Sequence, residues 1–132
     1  MKELKITQIK ETCIYVNDLE RTKEFYHKKL RLPVISFMEN RHIFFRAGSS
    51  VLLCFNPEAT MDEEKLPPHY GSGHLHFAFE VEREAYEDAK KFILDQNIII
   101  THEENWGSGI KSFYFNDPDN HVVEIVMKGL WD

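Results

Sequence analysis

Cysteine is scarce in this chain and long apolar runs are missing, and both shortages limit what the protein can be. Its 132 residues include two cysteines, Cys13 and Cys54, without the close spacing of a zinc or redox motif. We expect both thiols to be reduced, which suits the cytoplasm. No stretch approaches the roughly 18 apolar residues of a membrane span, and the charged start lacks the apolar run of a signal peptide. The sequence therefore predicts a cytoplasmic protein without a membrane partner.

Basic residues are outnumbered, and they form no cluster. Sixteen Lys and Arg against 22 Asp and Glu leave a net charge of −6. Binding to a phosphate backbone depends on grouped positive charge, so we expect no nucleic-acid partner. Apolar residues are plentiful, at 42% hydrophobic and 13% aromatic, which is enough to build the core of one domain over residues 1–132.

Two stretches, Glu11–Val16 and His76–Val81, resemble each other, and each runs into an acidic helix start. Period-two alternation and turn residues extend this likeness to the neighbouring elements. The first half is predicted to contain a strand at 7–16, a helix from Asp18 to before Pro33, and strands at 34–38, 42–46 and 50–55. The second half repeats that order, with a strand at 74–82, a helix at about 84–95, and strands at 98–102, 111–116 and 121–127.

These elements predict two βαβββ modules, at about 6–56 and 74–128. The linker between them, 57–73, carries Pro, Gly and charge without periodicity. A small sheet covered by one helix leaves its other face without a partner. We therefore predict an α+β fold in which two tandem βαβββ modules form a curled mixed sheet around a concave cavity.

Alternation along the first strand of each module indicates which side chains point into that cavity. Glu11, Cys13 and Tyr15 lie on the face opposite the helix, and so do His74 and His76 in the second copy. The sequence therefore predicts that Glu11 and His76 point into one shared cavity.

A third candidate, Glu124, lies in the last predicted strand between Val123 and Ile125. A carboxylate in such a place is costly unless it is paired or bound to a cation. Alone, Glu124 fits an exposed face or a salt bridge equally well, and a single strand histidine is more often a core residue than a ligand. Together, one imidazole and two carboxylates suit Mn, Fe, Ni, Zn or Mg, with positions left for water or substrate.

The doubled order and three segments resemble the vicinal oxygen chelate superfamily, which includes glyoxalase I, fosfomycin-resistance enzymes, extradiol dioxygenases and bleomycin-resistance proteins. The segments are Ile14–Tyr26, Gly73–Val81 and Phe113–Glu124. The resemblance implies a glyoxalase-like fold, a homodimer, and His76 and Glu124 as ligands of a divalent metal. Many of these enzymes place histidine at Glu11, so the implied metal ligands here are Glu11, His76 and Glu124, with Glu11 or Glu124 as the catalytic base.

The chain departs from the family pattern at a second position. Where glyoxalase I has a fourth glutamate, this sequence has Leu52 or Leu53, so the resemblance does not support an ordinary lactoylglutathione lyase. A dioxygenase would need two histidines and one carboxylate. The sequence predicts a metal site that chelates a small oxygenated substrate, and lyase, isomerase, transferase and dioxygenase chemistry all stay open. The alternative is a metal-free ligand-binding module of the bleomycin-resistance type.

Five further residues are candidates for contact with the small-molecule ligand: Cys13, Tyr15, His74, Trp106 and Lys111. Cys13 and Tyr15 would line the cavity, and His74 shares a face with His76. Trp106, in a glycine-rich loop, would form a rim over the cavity mouth, and Lys111 could meet an anionic group. The alternatives are a small apolar cavity residue for Cys13, a strand-edge histidine near water for His74, and an ordinary loop around Trp106.

Overall fold

Two repeats of the same element order build the computed structural model, which describes residues 3–132. The first repeat consists of β1 (Glu11–Tyr15), α1 (Leu19–Lys23), a π-helical segment (Glu24–Lys29), β2 (Val34–Met38), β3 (His42–Ala47) and β4 (Ser50–Phe55). After the short α2 (Pro57–Thr60) come β5 (His76–Val81), a 3₁₀ turn (Arg83–Ala85), α3 (Tyr86–Asp95), β6 (His102–Gly107), β7 (Ile110–Asn116) and β8 (Val122–Met127).

Each repeat forms its own four-stranded sheet, and the two sheets have the same topology. The strand orders are β1-β4-β3-β2 and β5-β8-β7-β6. The first strand of each repeat pairs in parallel with the last, and the other pairs are antiparallel. This confirms the predicted α+β fold of two tandem βαβββ modules. The sheets are not closed, and β1 and β5 each lie at a sheet edge.

Local sequence signals explain where the first helix begins and how it ends. Asp18 caps α1, because its carboxylate accepts a hydrogen bond from the backbone N–H of Arg21 at 3.1 Å. The last turn widens into the π-helical segment, where the N–H of Leu30 still reaches the carbonyl of Phe25 at 3.0 Å. The helical segment ends before Pro33, as predicted.

The two modules share one hydrophobic core, and the first helical segment lies between the sheets. Tyr26 is fully buried, with ring centroids 5.5 Å from Phe45 in the first module and 6.4 Å from Phe77 in the second. Phe25 packs 6.2 Å from Phe115. Because the helix-facing sides of both sheets line this core, their opposite sides face away from it.

We call these outer sides the first and second open faces. The first open face carries side chains from β1, β3 and β4, among them Glu11, Cys13, Tyr15, Phe44, Leu53 and Phe55. The second open face carries side chains from β5 to β8, among them His76, Ala78, Glu104, Ser112, Tyr114, Glu124 and Val126.

One predicted strand was wrong. The apolar run Ile98–Ile100 was predicted to begin a strand, but the strand β6 covers His102–Gly107. Ile98 is buried in the core and Ile99 is exposed. This run is therefore a connecting segment whose Ile98 side chain packs in the core. The polar residues of β6 form an edge strand with both faces near solvent, and they give no apolar alternation to detect.

The linker between the modules folds back over one end of the first open face. Within it, Thr60 and His69 are joined by two hydrogen bonds: the Thr60 hydroxyl donates to the carbonyl of His69 at 2.7 Å, and the carbonyl of Thr60 accepts from the N–H of His69 at 3.0 Å. The ring of His69 hydrogen-bonds through Nδ1 to the hydroxyl of Tyr15 at 2.7 Å. Within residues 3–132, no helix has the length and apolar character needed to cross a membrane.

Candidate metal centre

His76 and Glu124 meet on the second open face. Parallel pairing of β5 with β8 sets His76 beside Val122 and Ala78 beside Glu124. The side chains of His76 and Glu124 therefore lie close together on the same face of the sheet. The Nε2 atom of His76 lies 3.2 Å from Oε1 of Glu124. The carboxylate is 7% exposed and the imidazole 52% exposed, so the pair combines a buried negative charge with a ring that solvent can reach.

The second ring nitrogen of His76 determines what Nε2 can do. Nδ1 lies 2.9 Å from the carbonyl oxygen of Val122, and because a carbonyl can only accept, Nδ1 must carry the proton. In the neutral ring, Nε2 then presents a lone pair to Glu124. Two electron-rich atoms facing each other need a proton or a cation between them.

The carboxylate of Glu124 is also incompletely satisfied. Its second oxygen, Oε2, is buried and has no hydrogen-bond partner among the described residues. Such an atom is costly in the absence of a cation or a bound donor. An oriented imidazole, fixed by a backbone carbonyl and facing this carboxylate, fits a divalent metal, because that is how metal-binding histidines are commonly held.

Tyr114 lies beside this pair, since it is the antiparallel partner of Glu124 on β7. Burial raises the pKa of its hydroxyl; the hydrogen bond to Ser112 opposes this, and the nearby Glu124 carboxylate adds to it. The hydroxyl therefore stays protonated at neutral pH and can donate a hydrogen bond. The ring of Tyr114 lies between two imidazoles, 6.1 Å from that of His76 and 5.7 Å from that of His102.

Trp106 also belongs to the second open face. It lies in β6 and not in the rim loop that the sequence predicted, and its indole Nε1 donates to the hydroxyl of Ser112 at 2.9 Å. His74 precedes β5 and is exposed. Lys111 does not share this face: it pairs with Asn105 and precedes Phe113 by two positions on the core-facing side of β7. The predicted contact of Lys111 with a ligand in the cavity is therefore not supported.

The other predicted side chains lie on the first open face, in the other module. Glu11 is exposed at the start of β1. Cys13 is half-buried, which raises the pKa of its thiol; a hydrogen bond with Tyr15 lowers that pKa and the charge of Glu11 raises it. Burial, with a further contribution from Cys13, raises the pKa of Tyr15 to about 12. Both groups are therefore protonated at neutral pH.

Glu11 lies on β1 of the first sheet, whereas His76 and Glu124 lie on β5 and β8 of the second. Among residues 3–132, no three His, Cys, Asp or Glu side chains lie close enough together to hold a metal ion. The predicted convergence of Glu11, His76 and Glu124 is therefore not seen among the described residues of one chain. The role of Glu11 as a metal ligand stays a prediction.

A cavity of about 700 Å³ opens between the modules, away from the pair. Its walls are mainly core-facing, with Leu30, Phe79, Ala89 and Phe92 among them, and neither His76 nor Glu124 lines it. Because its lining is mostly apolar, this cavity offers no set of metal ligands.

Close packing of the linker makes Gly71 a sensitive position. A Cβ atom at Gly71 would overlap the ring of Tyr15, so we expect Gly71→Ala to displace the linker or the ring and to lower the free energy of unfolding by about 1–3 kcal/mol. Gly48→Ala is a useful comparison, because no atom lies near its Cβ position, although its positive φ adds backbone strain. Urea unfolding would measure both. A Gly71→Ala protein as stable as the parent would show that the linker does not pack tightly here.

Sequence reasoning found His76, Glu124 and Trp106. It did not place Tyr114 beside Glu124 or Ser112 beside Trp106. The signal was the turn at Asp117–Asn120, which makes β7 and β8 a hairpin. The observed register pairs Asn116 with Val122, so Tyr114 and Glu124, each two positions further from the turn, face each other.

Comparison with known proteins identifies the family. A model of the Glyoxalase/Bleomycin resistance protein/Dioxygenase superfamily matches residues 8–125. Over 121 residues the chain is 25% identical to metallothiol transferase FosB of Staphylococcus saprophyticus, covering 91% of this chain and 76% of that protein. Glutathione transferase FosA of Serratia marcescens is 28% identical over 120 residues, covering 91% and 80%.

Solved structures agree with this assignment. Lactoylglutathione lyase from Agrobacterium tumefaciens superposes with a TM-score of 0.90 at 28% identity, covering 96% of this chain and 97% of that one. A protein of the same superfamily from Nocardioides has a TM-score of 0.73 at 19% identity, covering 96% and 88%, which is a likeness of fold. The chain belongs to the glyoxalase/bleomycin resistance protein/dioxygenase superfamily.

Proposed function

We propose that this protein is a metal-dependent enzyme in which His76 and Glu124 bind a divalent cation that chelates a small oxygenated substrate. The observation that carries the proposal is the unsatisfied pairing of the two side chains. Nε2 of His76 faces Oε1 of Glu124 at 3.2 Å, while Nδ1 is occupied by Val122 and Oε2 of Glu124 is buried without a partner. A cation satisfies all of these groups together.

A bound divalent cation would act as a Lewis acid that polarises adjacent substrate oxygens. The residues of the chain prepare the site for it. The carbonyl of Val122 fixes the ring orientation and proton position of His76. Glu124 supplies negative charge from a buried position, and the protonated hydroxyl of Tyr114 can donate to a substrate oxygen.

The reaction type we favour is group transfer. The relatives FosB and FosA are named transferases, and the Agrobacterium tumefaciens protein is named a lyase. In this chain Leu53 is the open-face residue beside Cys13, and the glutamate that the resemblance links to proton transfer in glyoxalase I is missing there. Because a leucine side chain can neither take up nor release a proton, the substitution argues against lyase chemistry that depends on that glutamate.

A homodimer would supply Glu11 as the third ligand. β1 and β5 are edge strands, and we propose that β1 of one subunit lies beside β5 of the other. Glu11 and His76, each at the start of its strand and each exposed, would then come together across the interface. The exposed apolar side chains of Leu4, Ile6 and Ile9, just before β1, support a contact in this region.

Metal titration of untagged protein tests the proposal. After treatment with a chelator, the full chain should gain thermal stability on addition of at least one of Mn, Fe, Ni, Zn and Mg, because a ligand that binds only the folded state raises the melting temperature. His76→Ala should weaken that affinity by about tenfold or more, since it removes a ligand. His102→Ala removes a histidine from the same face and should leave the affinity unchanged. Absence of any gain with all five metals would contradict the proposal.

A metal-free binding module is the second candidate, and the first open face favours it. The ring centroid of Tyr15 lies 6.4 Å from those of the buried Phe55 and the exposed Tyr70, an aromatic cluster in a protein of net charge −6. Such a surface suits a planar cation. Ligand binding that persists in His76→Ala and in the presence of chelator would favour a metal-free binding module over a metal-dependent enzyme.

A further inference from the structure

Both tryptophans of the chain lie together at one end of the second open face. The ring centroids of Trp106 and Trp131 are 6.0 Å apart, with their planes inclined at 56°. Trp106 is 42% exposed and Trp131 is 86% exposed. Large aromatic side chains seldom leave this much surface in water without a binding role, so the pair needs an explanation.

Trp106 is held in a fixed orientation. Its indole N–H donates to the hydroxyl of Ser112, a fully buried residue on the same open face as Glu124. This bond satisfies the only polar atom of the indole ring. The part of the Trp106 ring that is exposed to solvent is therefore apolar. An aromatic surface that is already oriented loses little conformational entropy when a ligand stacks on it.

Trp131 is positioned by an unusual backbone. It has a φ of +70°, and Gly129 two residues earlier has a φ of +116°. A side chain on Gly129 would meet Ile110 of β7, so the chain after β8 passes close to that strand. This path places Trp131 beside Trp106. The ring of Trp106 is fixed by its hydrogen bond, and the ring of Trp131 lies at an angle to it.

Ser112, whose hydroxyl holds the indole of Trp106 at 2.9 Å, lies close to Glu124 on the β7–β8 hairpin. Val126 follows Glu124 by two positions on β8 and pairs with Ser112 on β7. With roughly 3.3 Å per residue along a strand and about 4.8 Å between strands, Ser112 is roughly 8 Å from Glu124. A two-ring aryl group attached to the metal-binding oxygens spans a distance of this order.

We propose that Trp106 and Trp131 form an aromatic clamp that selects substrates carrying an aryl group next to their metal-binding oxygens. This inference rests on the proposed function for the position of the oxygenated head group, and on the tryptophan pair alone for the aryl group. Because the two rings already contact each other, an aryl group would stack on the outer side of Trp106 and meet the ring of Trp131 at its edge, burying apolar surface against both. A small aliphatic substrate would leave the clamp unused.

Two chelating probes test the clamp, 2-naphthohydroxamic acid and acetohydroxamic acid, which share a metal-binding head and differ in the aryl group. With the zinc-loaded full chain, calorimetry should give an affinity for the naphthyl probe about tenfold or more above that for the acetyl probe. The naphthyl probe alone should alter the tryptophan fluorescence, which arises only from this pair.

Substitutions test whether the preference for the naphthyl probe depends on the tryptophan pair rather than on the fold or on metal binding. Trp131→Ala should remove most of the preference for the naphthyl probe, as should Ser112→Ala, which frees the Trp106 ring without deleting it. Leu94→Ala, an exposed apolar position on α3, should leave the preference intact. Equal affinity for both probes in the parent protein, or an unchanged preference in Trp131→Ala, would overturn the clamp while leaving the metal site standing.

Two further results distinguish the remaining possibilities. Naphthyl binding that depends on Trp131 but not on added zinc would support the clamp and contradict the proposed metal function. Fluorescence that changes on dilution of the protein, with no response to the naphthyl probe, would identify the pair as a subunit contact and overturn the proposal.

Discussion

A hybrid dimer of one Glu11→Ala chain and one His76→Ala chain should bind one metal ion tightly, whereas the Glu11→Ala and His76→Ala homodimers should each bind metal at least about tenfold more weakly at both sites. If Glu11 of one subunit joins His76 and Glu124 of the other, each homodimer carries a defect in both of its sites. In the hybrid, one site collects both substitutions and the other collects neither. The intact site should therefore restore about half of the wild-type metal content, as expected for a symmetric dimer with two shared sites.

Co-expression with two different tags, neither containing histidine, would allow the hybrid to be purified through both tags. Its metal content, measured by elemental analysis after loading and gel filtration, is compared with that of the two homodimers and the wild type. A hybrid prepared from Glu11→Ala and Glu124→Gln provides a second test by the same reasoning. The hybrid of His76→Ala with Glu124→Gln is the matched negative control, because both residues lie in one module and each of its two sites keeps a defect.

Two outcomes would contradict this arrangement. Full metal content in the Glu11→Ala homodimer would show that Glu11 is not a ligand, and the metal would then be held by His76 and Glu124 with water. An empty hybrid, with a metal-loaded wild type, would show that no site is shared between subunits.

The direction of side chains along each strand could be predicted from the sequence, but the arrangement of the modules could not. Alternation placed Glu11 on one face of β1 and His76 on the corresponding face of β5, and the burial of Ile14 and Phe77 on the other side agrees. Whether those faces meet depends on how the modules pack. That packing is decided by long-range contacts such as Tyr26 with Phe45, which have no periodic signal in the chain.

The candidate metal pair was partly predictable for the same reason. His76 and Glu124 belong to the first and last strands of one module, and the repeated strand order makes those strands neighbours. The hydrogen bond from His76 to Val122 and the missing partner of Glu124 are atomic details that no residue pattern contains. The pair could be nominated from the sequence, whereas the reason that it suits a cation came from the structure.

Replacement of Asp117 should cause the largest loss of stability among single substitutions outside the candidate site. Its carboxylate is buried and accepts three hydrogen bonds: from the hydroxyl of Tyr26 at 2.7 Å, from the N–H of His121 at 2.8 Å, and from the N–H of Asp119 at 3.0 Å. Tyr26 belongs to the first module, so this carboxylate joins the two halves of the core.

Asp117→Ala would leave the buried hydroxyl of Tyr26 without its acceptor and two backbone N–H groups unpaired. We expect the free energy of unfolding to fall by about 3–5 kcal/mol, since each unsatisfied buried group costs roughly 1–3 kcal/mol and the losses overlap. Urea unfolding followed by circular dichroism would measure it. Glu24→Ala, which removes an exposed carboxylate paired with Lys28, should change the value by less than about 0.5 kcal/mol. A loss at Asp117 no larger than at Glu24 would contradict the assignment.

Asp117→Asn should separate the hydrogen bonds from the charge. Burial raises the pKa of Asp117 above its ordinary value, although the hydrogen bonds from Tyr26 and His121 oppose the rise. Because the folded state holds the proton more tightly than the unfolded state, the favourable contribution is complete below the ordinary pKa and is lost as the pH rises through the raised one. Asparagine keeps an acceptor oxygen and cannot ionise. The stability of Asp117→Asn relative to the parent should therefore increase with pH across that window and become constant above it, and an unchanged difference would show that the carboxyl does not titrate there.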